Sequence, residues 1–461
     1  MALKKLIKKL LHVNGAAIDF AYTEQAPNGY MRLVIRVHPT KGNICRHPFT
    51  GKKYPRYDNG RGLRRWRALD IEEYMVYIES EAPRIQLEDG SVIVAGVPWA
   101  RHGSSFTRSF EDVVAWMAKA MTKSAIAEYM RISWNTVGPI ISRVKYELEP
   151  DSSVRWNNLK KIGIDETSYR KGHKYITTVV NHENNEVIWA YPGHDKETLM
   201  RFMNSLSEEQ RDSVEYVSGD GASWIKSTCE TYLKNAVFCL DPFHCIQWAT
   251  EALDKVRTRS FKKAVTKFKQ EHKDDKKRGV GRPKKGEKVE KDDLSKAIKS
   301  SKYALGKKPE NLTENQEARL EMIRIKDNEL YRAYLMKEEL RLLFQLKNYQ
   351  SVEKEMNQWL SWAQRCRIPE FVKLGKKIRR HKEDILMTIK HGLSNARTEA
   401  MNNKIKLIIR KAYGFKNIQN MIDMILLECS DLPINLPYRS GPMKRMHDPI
   451  THSYYYVSAQ T

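Results

Sequence analysis

Between residues 158 and 259, apolar and polar positions alternate in patterns that predict strands and helices in a definite order. Three strand-like stretches separated by short turns come first: LKKIGIDETSY, HKYITTVVNH and EVIWAYPG. They are followed by a helix in DKETLMRFMNSL, a strand in VEYVSGD, a helix in ASWIKSTCETYLK, a strand in NAVFCLD and a helix from Pro242. An antiparallel meander followed by alternating helices and strands predicts an α/β sheet covered by helices.

This order of elements is typical of the ribonuclease-H-like fold, so we predict such a core, with its first part at residues 158–259. Residues 260–390 have a charged helical pattern that predicts a largely α-helical insertion, and residues 391–430 supply the final helices of the core. Inside the insertion, residues 271–293 are too rich in Lys, Gly and Pro to bury a core and predict a flexible basic loop. Residues 431–461 form a C-terminal tail.

Two segments precede the core. Residues 1–105 form a mixed region with strand-like stretches such as YMRLVIRVH and EEYMVYIES. Residues 106–150 change to helical spacing, with Ser133 placed to cap a second helix, which predicts a helix-turn-helix. The turn lacks glycine and Pro139 falls inside the second helix, so an ordinary pair of core helices is the alternative. The candidate DNA contacts on this second helix are Asn135, Thr136, Arg143 and Lys145.

The charge of the chain favours a polyanionic partner. Lys and Arg number 81 against 56 Asp and Glu, a formal net charge of +25. Cationic side chains that neutralise phosphates release condensed counterions, which favours nucleic acid, although solubility alone is the alternative explanation. Six cysteines without a Cys-x-x-Cys pair favour a reducing compartment, and no apolar run reaches the length of a membrane span. We therefore expect a cytoplasmic protein with no membrane partner.

Three carboxylates stand out from the acidic residues. Asp165 interrupts an apolar strand next to Ile164, and Asp220 ends the fourth strand, which neighbours the first in the predicted sheet. Glu399 lies in the first turns of a late helix. A buried carboxylate must be paired or bind a metal, and carboxylates on separate elements can hold two Mg²⁺ ions for phosphodiester chemistry. Glu166 competes with Asp165, but strand alternation predicts that it faces the other side.

Four motifs in order resemble those of the DDE transposases of the bacterial ISL-three insertion-sequence family: GIDETSYRKGHKY, VSGDGASW, DPFHCIQWATEALDKVR and SNARTEAMNNKIK. The resemblance spans about residues 105–430 and implies that Asp165, Asp220 and Glu399 are the catalytic, metal-binding carboxylates. The family's Asp-x-x-His signature matches at Asp241 to His244. It implies an assisting His244 at the active site, for which a capping or core histidine is the alternative.

The resemblance also implies the chemistry and the partners. Two Mg²⁺ or Mn²⁺ ions would support cleavage at the ends of an insertion sequence, and the released 3′-hydroxyl would attack target DNA. We therefore expect double-stranded DNA as partner (the terminal inverted repeats and the target), a homodimer or higher oligomer, and a place at the bacterial nucleoid. A catalytically silent DNA-binding regulator and another ribonuclease-H-like nuclease are the alternatives.

Zinc is not expected. The family begins with a cysteine-pair zinc module, of which only Cys45-Arg46-His47 is left here, so the sequence offers no four ligands. Cys239 and Cys245 flank His244 in sequence, but cysteines at the end of a core strand are more often packing residues.

Two further basic segments are candidates for DNA contact. Gly281-Arg282-Pro283, with Lys284 and Lys285, resembles an AT-hook, a core that lays its Arg in a narrow minor groove; a solvated basic loop is the alternative. The second segment surrounds Glu399, where a solvated basic face is again the alternative. Its candidate contacts are Asn395, Arg397, Asn402, Asn403, Lys404, Lys406 and Arg410.

Overall fold

A computed structural model describes positions 4, 7–9, 11, 13–271, 293–346, 348–392, 396–430, 432–437, 443–447 and 454–458. The chain has the predicted mixed α/β class. Its centre is a five-stranded sheet with one layer of helices on each face. Within the described residues, no helix is both long and apolar enough to cross a membrane. The predicted basic loop at 271–293 lies outside the described residues except at its two ends.

The N-terminal region contains two small sheets, whose strands are β1 (Ala16–Gln25), β2 (Met31–Pro39), β3 (Arg56–Asp58), β4 (Leu63–Arg67), β5 (Met75–Glu81), β6 (Arg84–Gln86) and β7 (Val92–Val94). One sheet has the order β1-β2-β5-β4 and the other has the order β3-β6-β7. The strands predicted in YMRLVIRVH and EEYMVYIES are β2 and β5, which pair in parallel. Their inward side chains surround the buried, edge-to-face pair Trp66 and Trp99.

The central sheet consists of β8 (Lys161–Arg170), β9 (Lys174–Asn181), β10 (Glu186–Pro192), β11 (Tyr216–Gly219) and β12 (Val237–Leu240). Its order is β10-β9-β8-β11-β12. The first three strands are antiparallel neighbours, whereas β11 runs parallel to both β8 and β12. The predicted meander and the two strands after it are therefore confirmed.

Helices cover both faces of this sheet. The helices up to the insertion are α1 (Arg108–Ala118), α2 (Lys123–Tyr129), α3 (Trp134–Leu148), α4 (Lys196–Ser205), α5 (Glu208–Asp212) and α6 (Ser223–Tyr232). On one face, Phe202 of α4 and Ile225 of α6 pack on Ile162 and Ile164 of β8. The opposite face packs on α1 and α3 and on the two last helices, α15 (Ala396–Lys411) and α16 (Ile418–Cys429).

The helix-turn-helix corresponds to α2 and α3. Thr122 caps α2, while Ser133 occupies the N-cap position of α3 without a capping hydrogen bond from its side chain. Arg131 adopts the left-handed conformation in the turn (φ 52°), where the sequence lacks a glycine. Its guanidinium donates to Asp70 of the N-terminal region (Nε to Oδ2, 3.0 Å), which ties the turn to that region.

The helix-turn-helix also shares one apolar core with α15 and α16. Ile140 of α3, Ile405 of α15 and Ile425 of α16 are all fully buried in it. Ser142 donates to Asp423, and Lys411 Nζ donates to the carbonyl of Lys119 at 2.8 Å. The segment is therefore part of the same body as the central sheet, joined to helices that lie more than 250 residues later.

The helical insertion contains α7 (Pro242–Glu271), α8 (Asp293–Ser300), α9 (Lys302–Gly306), α10 (Glu314–Lys326), α11 (Asn328–Leu343), α12 (Tyr349–Arg365), α13 (Pro369–Arg380) and α14 (Lys382–His391). The boundary predicted at 259/260 falls inside α7, a 30-residue helix. From Cys245 onward the apolar residues of α7 pack with the later helices, so the insertion begins at Pro242. In the predicted tail, the short strands β13 (Met443–His447) and β14 (Tyr454–Ser458) pair antiparallel.

One close helix contact in the insertion gives a stability prediction. A Cβ on Gly375 of α13 would lie 2.8 Å from the Cβ of Ala363 in α12. We expect Gly375→Ala to lower the free energy of unfolding by about 1–3 kcal/mol through overpacking. Gly306→Ala is the matched control, because a Cβ there meets no atom within 4 Å, and it should be neutral or stabilising. Urea melts of both variants measure this, and equal stability would contradict the close contact.

Candidate active site

Asp165 lies on β8 and is held by two donors. One carboxylate oxygen accepts the backbone N–H of Glu166 at 2.6 Å, and the other accepts the side-chain amide of Asn402 on α15. Thr167, two residues along the strand, donates its hydroxyl to the amide oxygen of Asn402 at 3.0 Å. Because Thr167 and Asn402 are both buried, this bridge fixes α15 against β8 at the position of Asp165.

Asp220 follows β11 directly. The parallel register pairs Ser218 with Gly163, so Asp220, just past the end of β11, lies level with Asp165 in the middle of β8. Its carboxylate accepts the backbone N–H of Ala222 at 2.9 Å, which shapes the turn into α6. A Cβ on the intervening Gly221 would come within 2.6 Å of the Trp248 ring, so this turn requires glycine.

Glu166 is a third carboxylate near these two. Strand alternation puts it on the face opposite Asp165 and Thr167, yet it stays within electrostatic range of Asp220, Asp165 and Asp195. Burial and these like charges raise the pKa of Glu166 to about 7. Its Oε1 is buried without a hydrogen-bond partner. Strand alternation argued against Glu166, although its place beside Asp165 in the middle of an apolar strand was the available signal.

The electrostatics of Asp165 connect it to the other groups. Burial raises the pKa of the Asp165 carboxyl, and the negative charge of Asp220 acts in the same direction. The N–H of Glu166, His244 and the amide of Asn402 act in the opposite direction. His244 lies in the first turn of α7, so the start of the helical insertion reaches the same site as Asp165.

Glu399 lies near this group of side chains but does not belong to it. Its side chain is exposed, and the described residues contain no cluster of three His, Cys, Asp or Glu side chains close enough to hold a metal ion. It lies one helical turn before Asn402 on α15, and residues three apart share a helix face. The structure thus brings Asp165, Asp220 and His244 together and leaves Glu399 one turn away from them.

The residues present fit a divalent cation. Asp165 and Asp220 offer hard carboxylate oxygens, and Mg²⁺ is usually held by only one or two protein carboxylates, with waters and substrate phosphates as its other ligands. Their mutual repulsion and the unpartnered Glu166 Oε1 indicate negative charge that the described side chains leave uncompensated. A cation at this place would relieve both.

The cysteines behave as packing residues. Cys245 is completely buried in the apolar core of the insertion, where burial raises the pKa of its thiol. Burial likewise raises the pKa of Cys239 to about 12. Thiols held in the protonated form are poor metal ligands.

Several candidate DNA contacts have partners within the chain, and we correct their interpretation. Arg143 bonds the fully buried carboxylate of Glu111 (Nε to Oε1, 2.8 Å), and Lys145 pairs with Glu149 at 3.2 Å. Lys404 donates to the carbonyl of Glu428 at 2.6 Å. Asn402 serves Asp165, so it is not free to contact flanking nucleotides. Residue type alone suggested DNA contact, whereas in the structure Asn402 is buried and the other three side chains are half-buried, with partners in the chain.

Other candidate contacts remain accessible or lie outside the description. The exposed ones are Asn135, Asn403, Lys406 and Arg410, and Thr136 is half-buried at the start of α3. Arg282, Lys284, Lys285 and Asn395 lie outside the described residues, as does the side chain of Arg397.

The raised pKa of Glu166 predicts how stability depends on pH in metal-free buffer. Unfolding lowers this pKa from about 7 to the ordinary value of 4.5, so the folded state binds the proton more tightly and loses stability as pH rises between the two. Glu166→Gln cannot ionise and should raise the Tm more at pH 8 than at pH 5. Glu183→Gln, at an exposed position, is the control. Thermal melts in EDTA that give equal shifts at both pH values would contradict the assignment.

Comparison with known proteins agrees with this organisation. Residues 162–425 match a family model described as a transposase, of the DDE type in family ISL3. Residues 97–144 match a second model, described as the helix-turn-helix domain of transposase family ISL3. The two matches cover the central sheet with its insertion and the segment from the end of the N-terminal region to α3.

Curated relatives cover nearly the whole chain. The transposase for insertion sequence element IS1557 of Mycobacterium tuberculosis is 41% identical over 438 residues, which are 94% of this chain and 97% of that protein. The transposase for insertion sequence element IS1001 of Bordetella parapertussis is 24% identical over 359 residues, 77% of this chain and 82% of that protein. With a catalytic-domain match over more than half of its length and this relative at 41% identity, the chain belongs to the ISL3 family of insertion-sequence transposases.

Proposed function

We propose that this transposase cuts DNA at the ends of an insertion sequence and joins the released 3′-hydroxyl to target DNA. The observation that carries the proposal is the pair Asp165 and Asp220, level with each other on the neighbouring parallel strands β8 and β11. The strand order β10-β9-β8-β11-β12 supports a ribonuclease-H-like core, in which these two strands are adjacent.

In the proposed site, Asp165 and Asp220 hold two Mg²⁺ or Mn²⁺ ions, and Glu399 completes the ligand set from α15. When bound, such ions activate the attacking oxygen and stabilise the leaving oxygen of the phosphodiester. Asn402 orients Asp165 through its amide and so keeps α15 in place for Glu399. His244 contacts the scissile phosphate or orders a carboxylate, because its charge already acts on Asp165.

Recognition of the element ends falls to the helix-turn-helix in this proposal. The start of α3 exposes Asn135, with Thr136 half-buried beside it, in the position from which such helices contact base edges. Joining two element ends in one reaction calls for two copies of the active site, so we propose a homodimer or higher oligomer on double-stranded DNA.

The first prediction concerns cleavage. On labelled DNA with the ends of the source element, wild type should nick at the element boundary with Mg²⁺ or Mn²⁺, and Asp220→Asn should lose this activity by at least about 10²-fold. Asp212→Asn is the matched control, because Asp212 is exposed at the end of α5. Unchanged nicking by Asp220→Asn would refute the proposed site. DNA binding without nicking by wild type would favour the silent regulator, and nicking without strand transfer the nuclease.

The second prediction concerns Asn402 as a positioning residue. Asn402→Ala removes the donor that holds Asp165, so we expect Mn²⁺ affinity to fall about 10–100-fold, the usual effect of losing a partner of a metal ligand. The neighbouring, exposed Asn403→Ala should leave the affinity unchanged. Calorimetric titration with Mn²⁺, with thermal melts to verify folding, measures both. Equal Mn²⁺ affinity in the two variants would show that Asn402 has no such role.

A further inference from the structure

The helix α13 in the insertion has two distinct faces. Phe371, Leu374, Gly375 and Ile378 are buried against the other helices of the insertion. The remaining positions expose a row of cations that we call the α13 basic face: Lys373, Lys376, Lys377, Arg379 and Arg380. The fold therefore needs the apolar side of α13 but leaves the purpose of the basic side unexplained.

The cations of the α13 basic face form no ion pairs with the residues that the structure describes. Glu370, the acidic residue of this helix, is already bonded to Arg259 (Oε2 to Nη2, 2.8 Å). Among the described residues, no carboxylate forms an ion pair with any of the five cations, and Arg379 donates instead to the neutral amide of Gln364. In the N-terminal region, by contrast, Arg65 is shared between Glu24 and Glu79. The positive charge of the α13 basic face is thus available to an external anion.

The α13 basic face begins at the rim of the candidate active site. Lys377 Nζ lies 3.5 Å from the centroid of the Trp248 ring. That ring packs on Gly221, the residue after Asp220, at the distance where a Cβ would collide. Burial lowers the pKa of Lys377, and the charge of Asp220 acts on it in the opposite direction. One continuous path of contacts therefore connects Asp220, Trp248 and the basic face.

We propose that the α13 basic face binds the phosphate backbone of the duplex whose scissile phosphate lies at Asp165 and Asp220. This inference rests on the proposed function. From Lys373 to Arg380 the helix advances roughly 10 Å at 1.5 Å per residue. Phosphates of one strand advance about 3.4 Å each along the duplex axis, so the face matches about three of them. Lysine supplies three of the five cations and is depleted at the centres of protein–protein interfaces. This favours DNA over a protein partner.

The test is the salt dependence of DNA binding in EDTA, measured by fluorescence anisotropy with a labelled duplex. The variant carries Lys373→Ala, Lys376→Ala and Arg380→Ala, which leaves Lys377 at the active-site rim intact. We expect the slope of log K against log salt to shrink by about 2–3, since each lost phosphate contact removes about 0.9. The control carries Lys299→Ala, Lys302→Ala and Lys308→Ala, an equal loss of charge at exposed positions of the insertion, and should change the slope by less than about 1.

Equal slopes for the two triple variants would overturn the proposal. The proposal would also be overturned if polyglutamate competed as effectively as unlabelled duplex, because the surface would then bind anions in general. A further variant with Lys373→Arg and Lys376→Arg keeps the charges and should keep the wild-type slope. Because binding is measured without metal, this result is independent of catalysis. If Asp220→Asn nicked normally, the proposed function would fall while the slope measurement still decided the role of α13.

Discussion

The burial of Asp165 within an apolar strand is the constraint around which the rest of the candidate active site is arranged. A carboxylate in that position loses hydration, and Glu166 and Asp220 add like charge nearby. Two donors compensate for this, a backbone N–H of β8 and the amide of Asn402 on α15, and His244 at the start of α7 acts on Asp165 electrostatically. The groups that stabilise this one charge thus lie where α15 and the first helix of the insertion meet the sheet.

Much of this arrangement could be predicted because the signals are local. Strand alternation has a period of two, so β8, β9 and β10 are visible in the sequence, and the order of elements brings Asp165 beside Asp220. Long-range partners are a different matter. Nothing near Arg143 in sequence indicates that the fully buried Glu111 will bind it, and nothing near Asn402 indicates Thr167. The sequence therefore does not reveal a partner that lies far away along the chain, and the DNA contacts were predicted without knowledge of these partners.

The insertion shows why a long interval between Asp220 and Glu399 is compatible with one site. It leaves the sheet after β12, and α14 returns to the same strand, where Thr388 donates to the carbonyl of Leu240 at 2.7 Å. Lys226 of α6 also bonds the buried Asp384 at 2.7 Å. Because its entry and exit lie together, the sheet closes as if the insertion were a short connection, and the boundary inside α7 could not be recognised from composition alone.

The apolar core shared by α3, α15 and α16 has a consequence for the spacing on DNA between the recognised sequence and the proposed cleavage site. Ile140, Ile405 and Ile425 pack in one solid body, which leaves no hinge between the helix that would contact bases and the helix that carries Glu399. Because the distance between these two helices is fixed, the protein would set the number of base pairs between the recognised sequence and the cleaved bond. Inserting about five base pairs between them would turn the cleavage point to the opposite side of the duplex, since one helical turn takes about 10 base pairs.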